Sequence, residues 1–238
     1  MEKKVILLTG ASGGLGSEIA KLLANDNRFL LALQGNSSKI SIPETESIAH
    51  FKANLKSREE INSLIEDVVK RFGRLDVLIN NAGVSESNWS WKTSAESWEE
   101  TMAINLNAPF YLSQAAIPEF RKGEWGRIIN ISSVVAQTGF VGTAAYAASK
   151  AGLLGLTKTL SKELVHFNVS VNALALGYFD RGMINSVPDE QLSELKKQIP
   201  MKELGQPSTI VETLLWLISE QGGYITGQTI NLNGGLYS

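Results

Sequence analysis

Val5-Ile6-Leu7-Leu8-Thr9-Gly10-Ala11-Ser12-Gly13-Gly14-Leu15-Gly16 is followed at once by a helix-length pattern over Gly14–Ala24. Four residues apolar on both faces read as a fully buried strand, the kind a parallel sheet uses. The glycines fall where that strand must turn into the helix. With no side chains in the way, backbone amides there can approach a pyrophosphate, and the helix N-terminus adds positive partial charge. The spacing Gly10-x-x-x-Gly14-x-Gly16 departs from G-x-G-x-x-G, and alone it reads equally well as an ordinary glycine-rich turn.

Working outward, short apolar runs at Val5–Thr9, Phe29–Leu33, Leu75–Asn80, Arg127–Ser132, Val169–Ala173 and Gln228–Leu232 read as strands. Helical patterns lie between them, at Gly14–Ala24, Ser57–Phe72, Ala95–Ile104, Ala108–Phe120, Tyr146–Val165, Asp189–Gln198 and Ser208–Ser219. Ser57 with Glu60 three residues later is a capping-box pattern. Ile61, Leu64, Ile65, Val68 and Val69 then recur at helical spacing. Strand–helix alternation of this kind builds right-handed βαβ units. The expected fold is α/β, a Rossmann-type doubly wound parallel sheet in a single domain over residues 1–238. A substrate loop and helix are expected at about 177–205.

Composition narrows the function. The 238 residues are 43% hydrophobic and 19% charged, with net charge −2, so nothing suggests a nucleic-acid partner. Cysteine is absent and only His50 and His166 are present, which removes thiol chemistry and any His-rich metal site. No metal is expected. The apolar run Val5–Leu8 is too short for a secretion signal and no run reaches membrane-spanning length. No membrane association is therefore expected, and the expected location is cytoplasmic.

Four further motifs follow in order: Asn80-Asn81-Ala82-Gly83 at the end of a strand, Asn105 in Ile104-Asn105-Leu106-Asn107, Ser132-Ser133 closing the next strand, and Tyr146-Ala147-Ala148-Ser149-Lys150 opening a long helix. Tyr146 and Lys150 stand at i and i+4, on one helix face. An ammonium there would stabilise a phenolate and lower the tyrosine pKa. Together with the glycine-rich turn, these motifs identify the chain as resembling the short-chain dehydrogenase/reductase family over essentially its full length. The resemblance implies an oxidoreductase acting on CH–OH/C=O. In it Tyr146 gives a proton to a carbonyl oxygen and Ser133 hydrogen-bonds the same oxygen. Lys150 holds the nicotinamide ribose, and Asn105 fixes a water linking Lys150 to solvent. Thirteen-residue spacing to Tyr146 selects Ser133 over Ser132.

For the cofactor, the resemblance implies contacts from Gly10, Ser12, Gly13, Gly14, Leu15 and Gly16 at the pyrophosphate. Asn54 and Leu55 are expected at the adenine, Asn81, Ala82 and Gly83 at the ribose, and Tyr146, Lys150, Gly177 and the Phe179 backbone at the nicotinamide end. No acid follows the second strand, where relatives preferring NAD(H) carry one. Gly35 and Asn36 are expected to leave room at this cofactor-binding end, with Ser37, Ser38 and Lys39 as donors to a 2′-phosphate. NADP(H) is favoured over NAD(H), although Gly13 stands where NADP-preferring relatives often have arginine.

Tyr224-Ile225-Thr226-Gly227-Gln228-Thr229-Ile230-Asn231-Leu232-Asn233-Gly234-Gly235 and the Tyr146–Lys158 segment are most similar to bacterial 3-oxoacyl-acyl-carrier-protein reductases. That implies a 3-oxoacyl thioester substrate, an acyl carrier protein partner and a homotetramer paired through Ala108–Phe120, Tyr146–Val165 and the C-terminal edge. An acetoacetyl-CoA reductase, a sugar or secondary-alcohol dehydrogenase and a non-catalytic dinucleotide sensor are the alternatives. Two departures bear on the substrate. Arg181 replaces the threonine of the family's Pro-Gly-x-x-x-Thr stretch, here Leu176-Gly177-Tyr178-Phe179-Asp180-Arg181, and is a candidate for the carboxamide, a cofactor phosphate or an anionic substrate group. Glu124 and Phe167 stand where carrier-protein reductases display arginines. Trp89, Trp91, Phe140 and Val141 are candidates for the substrate wall, and Gly152 and Gly155 for close packing behind the catalytic helix.

Overall fold

Strand β1 (Lys4–Leu8) lies inside the sheet of the computed structural model, which describes residues 2–182, 184 and 189–238. Its neighbours are β2 (Phe29–Gly35) and β4 (Val77–Asn80). Beyond β2 lies β3 (Ile48–Lys52), and beyond β4 lie β5 (Gly126–Ser133), β6 (Val169–Leu176) and β7 (Thr229–Leu232). The order is β3-β2-β1-β4-β5-β6-β7, and every pair is parallel. The chain runs outward from β1 to β3, then crosses back to β4. The reversal opens a crevice at the carboxyl ends of β1 and β4, where such sheets bind ligands.

Eight helices are introduced in chain order: α1 (Gly14–Ala24), α2 (Arg58–Phe72), α3 (Ala95–Met102), α4 (Ala108–Gly123), α5 (Val135–Thr138), α6 (Ala144–Leu164), α7 (Asp189–Gln198) and α8 (Pro207–Ile218). Strand alternation sorts them into two layers. From β1, Ile6 and Leu8 join Ile19 and Leu23 of α1 and Leu214 and Leu217 of α8. Val5 and Leu7 join Ile61 and Leu64 of α2, Leu112 of α4 and Leu160 of α6. Truncating one such leucine to alanine costs ~2–5 kcal/mol, a large share of a domain's whole stability. The two layers therefore hold the strand ends rigid. A third, smaller cluster of Ile184, Ile199 and Leu204 lies apart, packed by Tyr178, Leu192, Leu195 and Leu236.

All six strands read from the sequence form, and so do the seven helices. Ser57 caps α2, accepting from Glu60 N at 3.2 Å, and Gly73 ends that helix in the left-handed conformation at φ 81°. The Glu60 carboxylate closes the loop differently from a capping box: it accepts from Asn54 N at 2.7 Å. Strand β3 is an addition. It pairs only with β2, at the sheet edge, and Ile48-Ala49-His50-Phe51-Lys52 has neither strict alternation nor a continuous apolar run. The break expected between Ile104 and Ala108 is filled by a π-helical turn, Ala103–Asn107, which runs α3 into α4 and carries Asn105. No helix among the described residues is long and apolar enough to cross a membrane.

Candidate active site

Four residues from three elements meet beyond the carboxyl end of β5. Ser133 is the last residue of that strand, Tyr146 and Lys150 lie in the first turns of α6, and Asn105 sits in the π turn. The extra residue of a π turn re-aims a side chain, and such turns recur at functional sites. Asn105 is fully buried. Its Oδ1 accepts from Val84 N at 2.8 Å, and its Nδ2 donates to Val84 O at 2.8 Å and to Ser149 Oγ at 3.2 Å. Its amide thus clamps the chain just after Gly83 to the catalytic helix.

Lys150 is buried and donates through Nζ to Ile131 O at 2.7 Å. Ser132, the partner rejected by spacing, ties its Oγ to Lys150 O at 3.1 Å and so supports the helix. Burial pulls the Lys150 pKa down to about 8. The tyrosine behaves differently from the sequence expectation. Burial pushes the Tyr146 pKa up, and the Ser133 hydroxyl opposes this only in part. The Lys150 ammonium lies 5.9 Å from the Tyr146 ring centre and is hydrogen-bonded to the Ile131 carbonyl. The Tyr146 oxygen therefore keeps its proton at neutral pH, the state a proton donor needs.

The glycine-rich turn is built by exclusion. Gly10 adopts φ 68°, and a Cβ there would stand 2.8 Å from Ala82 Cα. At Gly16 a Cβ would run into the Gly10 carbonyl. Thr9 stitches the turn to the end of β4: its Oγ1 accepts from Asn81 N at 3.0 Å and Ala82 N at 3.1 Å. Asn81 Nδ2 returns a bond to Thr9 O at 2.8 Å. The Asn81 side chain is thus spent on the scaffold. Gly13 and Gly14 are exposed beside Ser12 and Leu15, above the unpaired first-turn N–H groups of α1. At Gly83 a Cβ would lie 3.3 Å from Asn105 Oδ1 and 3.4 Å from Lys150 Nζ. A bare backbone trough therefore leads from α1 to Lys150, and it fits an extended dinucleotide.

At the far end of that trough, Asn36, Ser37, Ser38 and Lys39 are exposed. The space at Gly35 is smaller than expected. A Cβ there would meet Ser12 Oγ at 3.2 Å and Ser38 O at 3.4 Å. Asn54 Oδ1 accepts from Lys56 N at 3.1 Å, which leaves its Nδ2 as the amide's donor. The Leu55 side chain is buried in the core.

Over the trough lies the segment after β6. Gly177 is pressed onto Asn233, whose Cα would stand 2.7 Å from a Cβ at 177. Phe179 is buried, and its parallel bridge to Gly205 turns its own N–H and C=O away from that partner. Gly182 reaches Gly14: a Cβ at Gly14 would lie 2.7 Å from Gly182 Cα. Arg181 is half-exposed, donating to Asp180 O at 2.9 Å and pairing with Asp180 Oδ2 at 3.7 Å. Residues 183 and 185–188 of the expected substrate loop lie outside the described residues.

At the rim, Trp89 and Trp91 stack with ring centres 4.8 Å apart. Their loop is sewn to the α6 entry by Asn88 N donating to Gly142 O at 2.8 Å, and Phe140 and Val141 beside it are exposed. Gly152 packs as expected, with Leu106 Cδ2 2.9 Å from a Cβ there. Gly155 does not, since it has open space.

The family model for short chain dehydrogenases matches residues 4–192. The chain belongs to that family. It is an oxidoreductase acting on carbonyl or hydroxyl groups, of a family that uses a nicotinamide dinucleotide. It is 37% identical to a 3-oxoacyl-(acyl-carrier-protein) reductase FabG of Aquifex aeolicus, over 100% of this chain and 98% of the relative. It is 38% identical to the protein of that name from Staphylococcus aureus, over 98% of each, and 35% identical to that of Thermotoga maritima, over 99% and 98%.

Sequence reasoning passed over Thr9, Ser149 and Gln34 as individual positions. Each is a polar residue in a buried setting, and buried polar groups require partners. That rule was the available signal.

Proposed function

We propose that this chain reduces the keto group of a 3-oxoacyl thioester, with NADPH as the reductant. The observation that carries the reading is the convergence of Ser133, Tyr146, Lys150 and Asn105 on the end of a trough lined by bare glycine backbone. When bound, the nicotinamide supplies a hydride to the carbonyl carbon. The substrate carbonyl oxygen accepts hydrogen bonds from Ser133 Oγ and Tyr146 Oη. As negative charge builds on that oxygen, the Tyr146 proton transfers to it, leaving an alcohol and a phenolate. Lys150 then lies one turn away to stabilise the phenolate. Proton return passes from solvent by way of Lys150 and a water fixed by Asn105.

The pyrophosphate lies at Gly10, Ser12, Gly13, Gly14, Leu15 and Gly16, the adenosine end at Asn36, Ser37, Asn54 and Leu55, and the ribose near Asn81, Ala82 and Gly83. The nicotinamide end meets Gly177 and the Phe179 backbone. NADPH is supported by the absence of an acid at Gly35 and the exposed donors that follow it. Replacing Gly35 with Asp should move the preference toward NADH by about tenfold or more. A carboxylate there would bind a ribose diol and repel a 2′-phosphate.

The acyl group is carried by acyl carrier protein. Phe167 lacks a charge of its own, but the Arg121 guanidinium lies 4.6 Å over its ring, so a cation still stands at that edge. The assembly is a homotetramer. Exposed Phe110 on α4, the open face at Gly155 on α6 and the half-buried strand β7 supply apolar surface for it. The test is NADPH consumption with one short 3-oxoacyl group presented on acyl carrier protein and on coenzyme A, beside a panel of free ketones. Preference for the carrier-bound thioester supports the reading. Preference for coenzyme A or a free ketone reassigns the substrate, and NADPH binding without turnover on any would indicate a sensor.

A further inference from the structure

Gln34 is a polar residue in an otherwise apolar strand, Phe29-Leu30-Leu31-Ala32-Leu33-Gln34-Gly35, and it is 2% exposed. Both ends of its amide are used. Oε1 accepts from Gly10 N at 2.9 Å, and Nε2 donates to Ala53 O at 2.8 Å. Its backbone carbonyl accepts from Ala11 N at 2.8 Å. One buried side chain therefore spans from the first glycine of the pyrophosphate turn to the residue before Asn54. Asn81 Nδ2 holds Thr9 O from the opposite side at 2.8 Å.

We propose that Gln34 is a positioning residue for the dinucleotide: it fixes the spacing between the pyrophosphate turn and the adenosine end of the trough. The proposal rests on the reading of that trough as the NADPH site. By engaging Gly10 N, the Gln34 side chain withdraws that donor, as its main-chain carbonyl withdraws Ala11 N, and leaves the first-turn amides of α1 to face the phosphates. Only an uncharged amide meets both demands. Glutamate retains the acceptor but sets a carboxylate against the Ala53 carbonyl, and methionine supplies neither group.

The test uses Gln34→Met and Gln34→Glu. Dissociation constants are measured for NADPH and for adenosine 2′-phosphate, which occupies only the adenosine end, together with kcat at saturating NADPH and Tm. NADPH should bind about tenfold or more weakly in both variants, since methionine unpairs both Gly10 N and Ala53 O and glutamate sets a charge against Ala53 O. Adenosine 2′-phosphate should bind within about threefold of the parent, because a ligand on one side does not feel the spacing, and kcat should hold within about twofold. Unchanged NADPH affinity in both variants would overturn the proposal. So would equal weakening of NADPH and adenosine 2′-phosphate with a fall in kcat, which would mark general loosening. If the parent protein itself binds no NADPH, the cofactor reading fails first and this proposal falls with it.

Discussion

The two walls of the cleft are built in opposite ways. The wall proposed for the cofactor is pinned by buried polar groups: Thr9, Gln34, Asn81 and Asn105 all spend their side chains on backbone groups of neighbouring elements. It also rests on the two large apolar layers. The wall proposed for the substrate combines the small cluster of Ile184, Ile199 and Leu204 with exposed Arg181, Trp89, Trp91, Phe140 and Val141. Segments with few buried contacts open at lower free energy than the core. A rigid wall suits the proposed dinucleotide of fixed geometry, and a loosely held one suits the proposed carrier-bound substrate.

The largest effect expected on the pinned side comes from Lys150. Its ammonium predominates below about pH 8 and is lost above it, so turnover should fall as pH rises through about 8. Lys150→Arg, which does not titrate in this range, should remove that limb while lowering turnover overall. A pH–rate profile of both proteins decides this. Stability should move the other way. The folded pKa lies below the unfolded one, so the buried ammonium weakens the fold below about 8. That penalty is relieved as pH climbs toward the ordinary lysine value.

Asn105→Ala leaves the N–H and C=O of Val84 without their partner. The expected cost is ~1–3 kcal/mol of stability together with reduced turnover, read by denaturant unfolding and steady-state rates. The matching change on the other wall is Arg181→Ala. It removes a half-exposed ion pair, so stability should stay within ~0.5 kcal/mol while the KM for cofactor or substrate rises several-fold. A large stability loss in Arg181→Ala, or none in Asn105→Ala, would erase the contrast between the walls.

What the sequence revealed divides by locality rather than by wall. β1, the glycine-rich turn and the spacing of Ser133, Tyr146 and Lys150 are local patterns, and local patterns are readable. Strand β3 was not, because an edge strand with His50 and Lys52 buries too little to impose a period. Gln34 carries no local signal, since its partners Gly10 and Ala53 lie 24 and 19 residues away. The direction of the Tyr146 shift was likewise hidden. Spacing puts the ammonium on the same helix face, but desolvation of the phenol depends on everything packed around it. Packing context was equally hidden at Leu55, whose side chain is buried, and at Gly155, which faces open space.

The most direct measurement is NADPH-dependent reduction of a short 3-oxoacyl thioester by the parent protein and by Tyr146→Phe, with NADPH affinity determined for both. Loss of the phenolic proton should lower turnover about 10²–10⁴-fold while NADPH binds as before. Undiminished turnover in Tyr146→Phe would contradict Tyr146 as the proton donor.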